Sequence, residues 1–542
     1  EYSGSGEIVE NLKFGASDGA LNDQFGFDVD TVEGSTGEGI YALVAARFDD
    51  TPTQQNFGSV YLFQNKFDTT GWQQKLKITA SDDGDLVSAA KLFGTSVSIA
   101  SGTDGIYMLI GAPTPALPGG SAYLFHSKSG ETFYVDSAGD TNQKWQTKIT
   151  ASDHANGDQF GTRVSVDSGS DGIYMVVSAP ADNVSAGSAY LFHSKSGETF
   201  YVDSAGATNQ QWQTKITASD SATPDLLFDV SVVSGTDAIY VLAGAYNTAG
   251  GGSAYLFHSK SGETFYVDSG GATNQQWQTK ITSSDLAASD QFGQAVSMVS
   301  GSNGIYMLVG TPGEDAGGSE SGAAYLFHSK SDATFYVDSG APTNQKWQTK
   351  LTASDAGAAY HFGWDVSVVS GSDGIYCLVG ADDADVAAGQ SYVFHSQSAG
   401  VAEQIMSASD GIANQFFGYS VSLISSSVLP DDLYATMGAT TASFAVSGSG
   451  AGYMFAGPFG SLSGTIGYQN VQQDYKQHGK LFGLGLEDVY DPAYAAYTPP
   501  MFYGASRARI KFTPSTTDTY TLDQVLKQAT IEEIINVDSD RV

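Results

Sequence analysis

Three pairs of carboxylates at i and i+5, Asp18 with Asp23, Asp153 with Asp158 and Asp285 with Asp290, are where general acid and base chemistry would first be sought. Such chemistry needs one pair whose members sit in unlike environments. Recurrence of the same pair points instead to Asp as a turn-capping residue, which serves every copy alike. Histidine recurs too: His126, His193, His258, His328 and His395 each follow the phenylalanine of a strand-like run. One per copy lies too far from the next to share a metal ion, so they read as structural or solvent-facing. Trp72, Trp145, Trp212, Trp277 and Trp347 also keep a fixed place in their copies. An indole can stack on a sugar, but that regularity argues for packing between copies. Cys377, the single cysteine, stands where other copies carry Met108, Met175, Val241 and Met307, and reads as a core thiol with no disulfide partner.

These residues hang on one repeated frame. Asp158-Gln159-Phe160-Gly161 is followed by Val164-Ser165-Val166, by Gly172 through Pro180, by Gly187-Ser188-Ala189-Tyr190-Leu191-Phe192, and later by Trp212 through Ile216. Each is a short run of branched and aromatic residues cut by Gly, Ser, Asp or Pro, which is the pattern of a β-strand. The frame recurs at a period of roughly 66 residues, with copies starting at Phe25, Phe93, Phe160, Leu226, Phe292, Phe362 and Phe417. Four strands in each of these copies predict an all-β, seven-bladed β-propeller. The fourth copy has Leu226-Leu227 in place of Phe-Gly, so its strands are expected to form with altered packing at that corner. Residues 8 to 14 match a fourth strand that has no first three, and the last copy lacks its fourth. The opening residues are therefore expected to complete blade seven, close the ring and remove a bare sheet edge.

Charge narrows the partners. Lys and Arg total 24 against 59 Asp and Glu, a formal net charge of -35, which disfavours nucleic acid and anionic membrane surfaces. No apolar run is long enough for membrane insertion. An acidic surface stays soluble where salt cuts the Debye length to roughly 3 Å, so a saline, extracellular setting fits.

The order Ser-Asp, Asp-Gln-Phe-Gly, Val-Ser-Val, Gly111-Ala112-Pro113 and Gly-Ser-Ala-Tyr-Leu-Phe resembles the FG-GAP repeats of integrin α-subunit propellers, and still more their bacterial and phage relatives, over residues 8 to 456. In that family the loop between the first two strands can carry a calcium site with carboxylates at alternate positions. The matching loop here, Asp167-Ser168-Gly169-Ser170-Asp171-Gly172, keeps two aspartates, with Gly169 and Met175 where further ligands would fall. Calcium takes six to eight oxygens. Tight hairpin turns are therefore expected rather than calcium, and no cofactor or metal residue is named.

The loops joining strands two and three diverge: Thr114 to Pro118, Ala181 to Val184, Tyr246 to Ala249, Gly313 to Ala316 and Asp382 to Asp385. They are expected on the same face as the blade-to-blade connections, where a host receptor or glycan would bind. The propeller occupies 1-456, and a different segment, 457-542, follows. Arg507-Ala508-Arg509-Ile510-Lys511-Phe512 alternates as a strand does. Thr521-Leu522-Asp523-Gln524 makes a capping box, and Leu522, Val525, Leu526, Ala529, Ile534 and Ile535 lay an apolar stripe on a predicted helix ending near Asn536. This small α+β extension buries too little to stand alone, so it is expected to dock on the ring, on a second copy or on another protein. Thr498-Pro499-Pro500-Met501-Phe502-Tyr503-Gly504 and the strand behind it are similar to segments of marine phage virion proteins.

The resulting expectation is a non-enzymatic virion structural protein, a decoration, tail or host-contact component held to other virion proteins by its extension. The alternative is a secreted bacterial cell-surface or matrix adhesin that binds protein or glycan. The opening Glu1 reads as a processed start or a fragment. An enzyme would require one unlike cluster of His, Asp or Arg at the central channel, and no catalytic residue is named.

Overall fold

The computed structural model describes residues 8–458, apart from 36, 51–54, 67–70, 81–90, 104, 115–118, 129–144, 171, 183–186, 196–211, 219–226, 236–237, 247–249, 261–276, 302–303, 316, 331–346, 372–373, 385–387, 398–399, 427–431 and 445, together with 507–511 and 530–535. The chain divides into two compact units, Val9–Ala456 and Glu1–Ile8 with Gly457–Val542.

The first unit is a ring of seven four-stranded antiparallel sheets. Blade three is representative: Val164–Gly169, Gly172–Ala179, Ser188–Lys195 and Trp212–Ile216 pair in that order. Its first two strands meet with Gly169 opposite Gly172, leaving a two-residue hairpin loop as expected. Blade seven is built from Phe417–Ser425, Asp432–Ala439 and Ala451–Pro458, and its outer edge is Val9–Phe14. Val9 lies opposite Ala456 and Phe14 opposite Gly452, so the opening strand closes the ring. The first strand of each blade touches the first strand of the next, and that of blade seven touches Phe25–Glu33 of blade one.

The core lies between facing sheets. One cluster joins Leu109 and Leu124 of blade two to Phe160, Val177 and Phe192 of blade three. Phe160 meets Tyr190 and Phe192 edge-on, with centroids 5.5 and 6.3 Å apart, and Phe25, Phe93, Phe292, Phe362 and Phe417 repeat the arrangement. Gly161 follows with φ of 94°, and a Cβ there would lie 2.2 Å from the Ser121 carbonyl, so only glycine fits. Blade four solves the corner differently. Leu227 is fully buried in the phenylalanine's place, and Phe228 N–H donates to Gly244 as the motif glycine does to the corresponding carbonyl elsewhere. The turn is one residue shorter, and Phe228 is free to face Tyr246.

Innermost strands would each show a row of unpaired backbone donors. Alternate side chains of the neighbouring first strand cover them. Asp28 and Asp30 accept from Val97 and Ile99 N–H, Ser96 and Ser98 from Val164 and Val166, Ser297 from Val368, Asp365 and Ser367 from Val421 and Leu423, and Ser420 and Ser422 from Val29 and Thr31. Asp167, read above as a possible calcium ligand, takes the N–H of Ser234 at 2.6 Å. Its oxygen is thus already used in joining blades three and four.

The recurring histidines are structural. His126, His193, His328 and His395 stack flat on Tyr107, Tyr174, Tyr306 and Tyr376 of the adjoining strand at 4.1 Å, and His258 lies on Tyr240 at 4.6 Å. Trp72 packs on the core between blades one and seven. The side chains of Trp145, Trp212, Trp277 and Trp347 lie outside the described residues. Cys377 is a buried free thiol, its pKa raised by burial to about 12.

The extension departs from expectation. Thr530–Ile535, placed above in a helix, is a β-strand paired antiparallel with Arg507–Lys511, so the described part of the α+β extension is a two-stranded ribbon. The stripe that suggested a helix ends in Ile534 and Ile535, and with Thr530 and Ile531 before them these β-branched residues favour an extended chain once a partner strand supplies the hydrogen bonds. Residues 512–529, with the capping box, and residues 457–506 lie outside the described part. Among the described residues no helix is long and apolar enough to cross a membrane.

Candidate functional site at the channel mouth

The paired acids separate by role. Asp23, Asp158 and Asp290 accept the N–H groups of Ala20, Ala155 and Ala287 three residues back, capping the connection between blades. Burial, reinforced by the nearby charges of Asp49 and Asp50, raises the Asp23 pKa to about 6. Asp18 instead receives the hydroxyl of Tyr61 at 2.8 Å and the Lys77 ammonium at 2.6 Å, and Asp49 receives the same two groups. Burial opposes ionisation of Asp18, and the bonds from Lys77 and Tyr61 overcome it, so its pKa falls below the usual value. Tyr190, Lys215, Asp153 and Asp182 repeat this clamp, as do Tyr325, Lys350, Asp285 and Glu314. At the closure, Asp410 holds Tyr453 and Lys13 of the opening strand. Neither the tyrosine nor the lysine stood out in the sequence as a partner of these acids.

Loops between strands two and three share this face. Phe48, Ala181 and Gly313 N–H donate to the carbonyls of Asp23, Asp158 and Asp290 in the blade connections. Because blades one, three and five repeat that geometry, the differences between blades are the informative part.

Those differences converge on the axis. Three residues past the motif phenylalanine, the blades carry Asp28, Ser96, Arg163, Ala295, Asp365 and Ser420, and blade four, with its shorter turn, carries Asp229 two residues past Leu227. Arg163 Nε lies 3.7 Å from Asp229. Burial works against its charge, and Asp229, Asp28 and Asp365 together hold its pKa above the ordinary value. Burial followed by the charge of Asp28 raises Asp365 to about 7, against the N–H of Val421, and burial raises Asp229 to about 6 against Arg163. Groups from blades one, three, four and six interact only because all reach one channel. This cluster is not repeated from blade to blade. Yet Asp28, Asp229 and Asp365 each give one oxygen to the next blade's backbone, at 2.7 Å in every case.

The residue just before these positions is aromatic in blades one, four, six and seven: Phe27, Phe228, Trp364 and Tyr419. Phe27 and Tyr419 lie 5.2 Å apart and Tyr419 and Trp364 5.9 Å, the Arg47 guanidinium covers Phe27 at 3.6 Å, and Arg163 covers Phe228 at 4.9 Å. Beside Trp364, with ring centroids 6.0 Å apart, is His361, whose Nδ1 lies 3.1 Å from Asp383 and 3.7 Å from Asp382. Asp382 first, then Asp383 and Glu320, raise the His361 pKa against the effect of burial. Sequence reading noted Asp382 and Asp383 only as members of a divergent loop and passed over His361. The signal was available: His361 occupies the place of Gln24, Gln159 and Gln291, and Asp382 that of Pro113, Pro180 and Pro312.

The FG-GAP repeat model matches residues 9–63, 144–192 and 276–327, each spanning the outer strand of one blade and the first three strands of the next. Three stretches of this seven-bladed β-propeller are thus FG-GAP repeats. No curated protein matches the chain. The matched stretches carry the phenylalanine corner, the blade joints and the tyrosine and acids of the clamp, and they include Asp28 and Arg163 of the channel.

Proposed function

We propose that this FG-GAP propeller is a non-enzymatic display ring, a virion structural protein that presents its channel mouth and loop face to a partner while its C-terminal extension attaches to other virion proteins. The observation that carries the reading is the use of the repeated polar groups. Aspartates, tyrosines and lysines at equivalent places in the blades are bonded to each other or to neighbouring backbone, which gives rigidity and leaves variation to the loop end. An acidic ring of this kind suits a receptor or glycan better than nucleic acid. Immunogold labelling of particles from the source, with antibody raised against the chain, tests it. Regular labelling of particles supports the proposal. Protein recovered only in particle-free supernatant removes the virion assignment and favours the secreted adhesin.

One observation favours a catalytic reading: Asp365, its pKa raised by burial to about 7, stands with Arg163 and Asp229 in one channel. A general acid or base needs such a value. Hydrolysis of a glycan or ester panel, abolished by Asp365→Asn, would decide for it.

A further inference from the structure

Blade six departs from its sisters twice, and the two departures meet. Where blades one, three and five carry glutamine before the motif phenylalanine, blade six carries His361, on the same left-handed backbone (φ 53°, against 56° at Gln24 and 59° at Gln159). Where blades two, three and five carry proline after strand two, it carries Asp382, followed by Asp383. One nitrogen of His361 and one oxygen from each aspartate lie within 4.8 Å of one another.

Asp382 is the telling member. Its side chain is only 7% exposed, and its Oδ1 has no hydrogen-bond partner. The nearest cationic atom is His361 Nδ1 at 3.7 Å, beyond a hydrogen bond. A buried carboxylate oxygen left without a donor is costly, and a proline in the sister blades avoids that cost entirely. A cation between the three side chains would remove it.

We propose that His361, Asp382 and Asp383 bind one first-row divalent metal ion of the zinc class. An imidazole nitrogen with two carboxylates suits zinc, whose ligands lie about 2.0–2.2 Å from the ion, better than calcium, which takes oxygen alone. Drawing the donors together requires only small rotations, because the two aspartates share a loop and His361 faces them. Three protein donors leave a fourth position for water or an incoming group. The site lies in a different loop from the hairpin in which the family resemblance places calcium, and it stands whether or not the ring belongs to a virion.

The test uses the full chain, stripped with EDTA and titrated with zinc chloride by calorimetry at neutral pH, with calcium chloride as comparison. The expected result is one zinc per chain, weakened by about a hundredfold or more in His361→Gln and in Asp382→Asn. Zinc should also raise the melting temperature of the wild type and leave that of the variants unmoved. His361→Gln restores the residue of three sister blades, so it keeps a folded control available if Asp382→Asn fails to fold. Absence of zinc binding by the wild type, undiminished binding by His361→Gln, or calcium bound as tightly as zinc would each overturn the proposal.

Discussion

A tyrosine hydroxyl shared by two carboxylates, with a lysine beside it, is the unit from which this ring gains its outer rigidity. Tyr190 is buried, and its hydroxyl donates to Asp153 and is 2.8 Å from Asp182, while Lys215 Nζ stands 2.6 Å from both acids. Replacing Tyr190 by Phe keeps the ring packed against Phe160 and deletes only the hydroxyl. Lys215 still neutralises the acids, so the loss should be about 1–2 kcal/mol, the cost of one charge-assisted bond. Chemical denaturation of Tyr190→Phe checks this, and a change below about 0.5 kcal/mol would mean the lysine alone holds the acids. Gly161→Ala should cost more, since the added Cβ meets backbone that cannot yield, and its melting point should fall further than that of Tyr190→Phe.

At the scale of strands, the seam between blades seven and one bears the whole consequence of closure. Ser420 and Ser422 there do double service, accepting from Val29 and Thr31 N–H and donating to Asp28 and Asp30 at 3.0 Å. Thr31 and Thr436 add a buried hydroxyl pair at 2.7 Å. Ser422→Ala removes one of the two acceptors of Thr31 N–H, which keeps Asp30 Oδ1 at 2.8 Å, and deletes a hydroxyl donor to that carboxylate, for which a loss of about 1 kcal/mol is expected. Deleting residues 1–14 should do worse, exposing the Ala451–Pro458 edge and removing Lys13 from Asp410. Size-exclusion chromatography should then show self-association through the bare edge, and a monodisperse, fully stable deletion would refute the seam's importance. Strands and closure were legible in the sequence because each depends on local pattern repeated many times. The clamps were not, because Asp18, Tyr61 and Lys77 come from three different segments whose meeting depends on blade geometry. The channel cluster was hidden for a related reason: Asp28, Arg163, Asp229 and Asp365 sit in separate blades and look like ordinary drift until the axis brings them together. In the extension the apolar stripe fitted two periods, and pairing with Arg507–Lys511 decided for strand over residues 530–535.

Across the molecule, two families of carboxylates pull stability in opposite directions with pH. Asp30 and Asp229 at about 6 and Asp365 at about 7 lie above their ordinary value of 3.8, chiefly through burial. Between about 4 and 7 the folded ring therefore binds protons that the unfolded chain does not, and stability rises as pH falls. Asp18, Asp182, Asp285 and Asp410 lie below 3.8, because the bonds from lysine and tyrosine outweigh burial. Their support is complete above the unfolded value and disappears as pH drops through their folded values. The two effects together place the stability maximum near pH 4 to 6, and the urea midpoint at pH 5 should exceed that at pH 8. Net charge of -35 pushes the same way, since protonation relieves self-repulsion. Salt separates the contributions: at about 1 M the Debye length is about 3 Å, which removes long-range repulsion and leaves the burial of the channel acids in place. The pH 5 advantage should therefore persist at high salt, and Asp365→Asn, which retains an oxygen for Val421 N–H, should raise the pH 8 midpoint and narrow the difference. A midpoint that climbs steadily from pH 5 to pH 8 would show that these acids are solvated and ionised, and that the axis is not the low-dielectric channel inferred from their geometry.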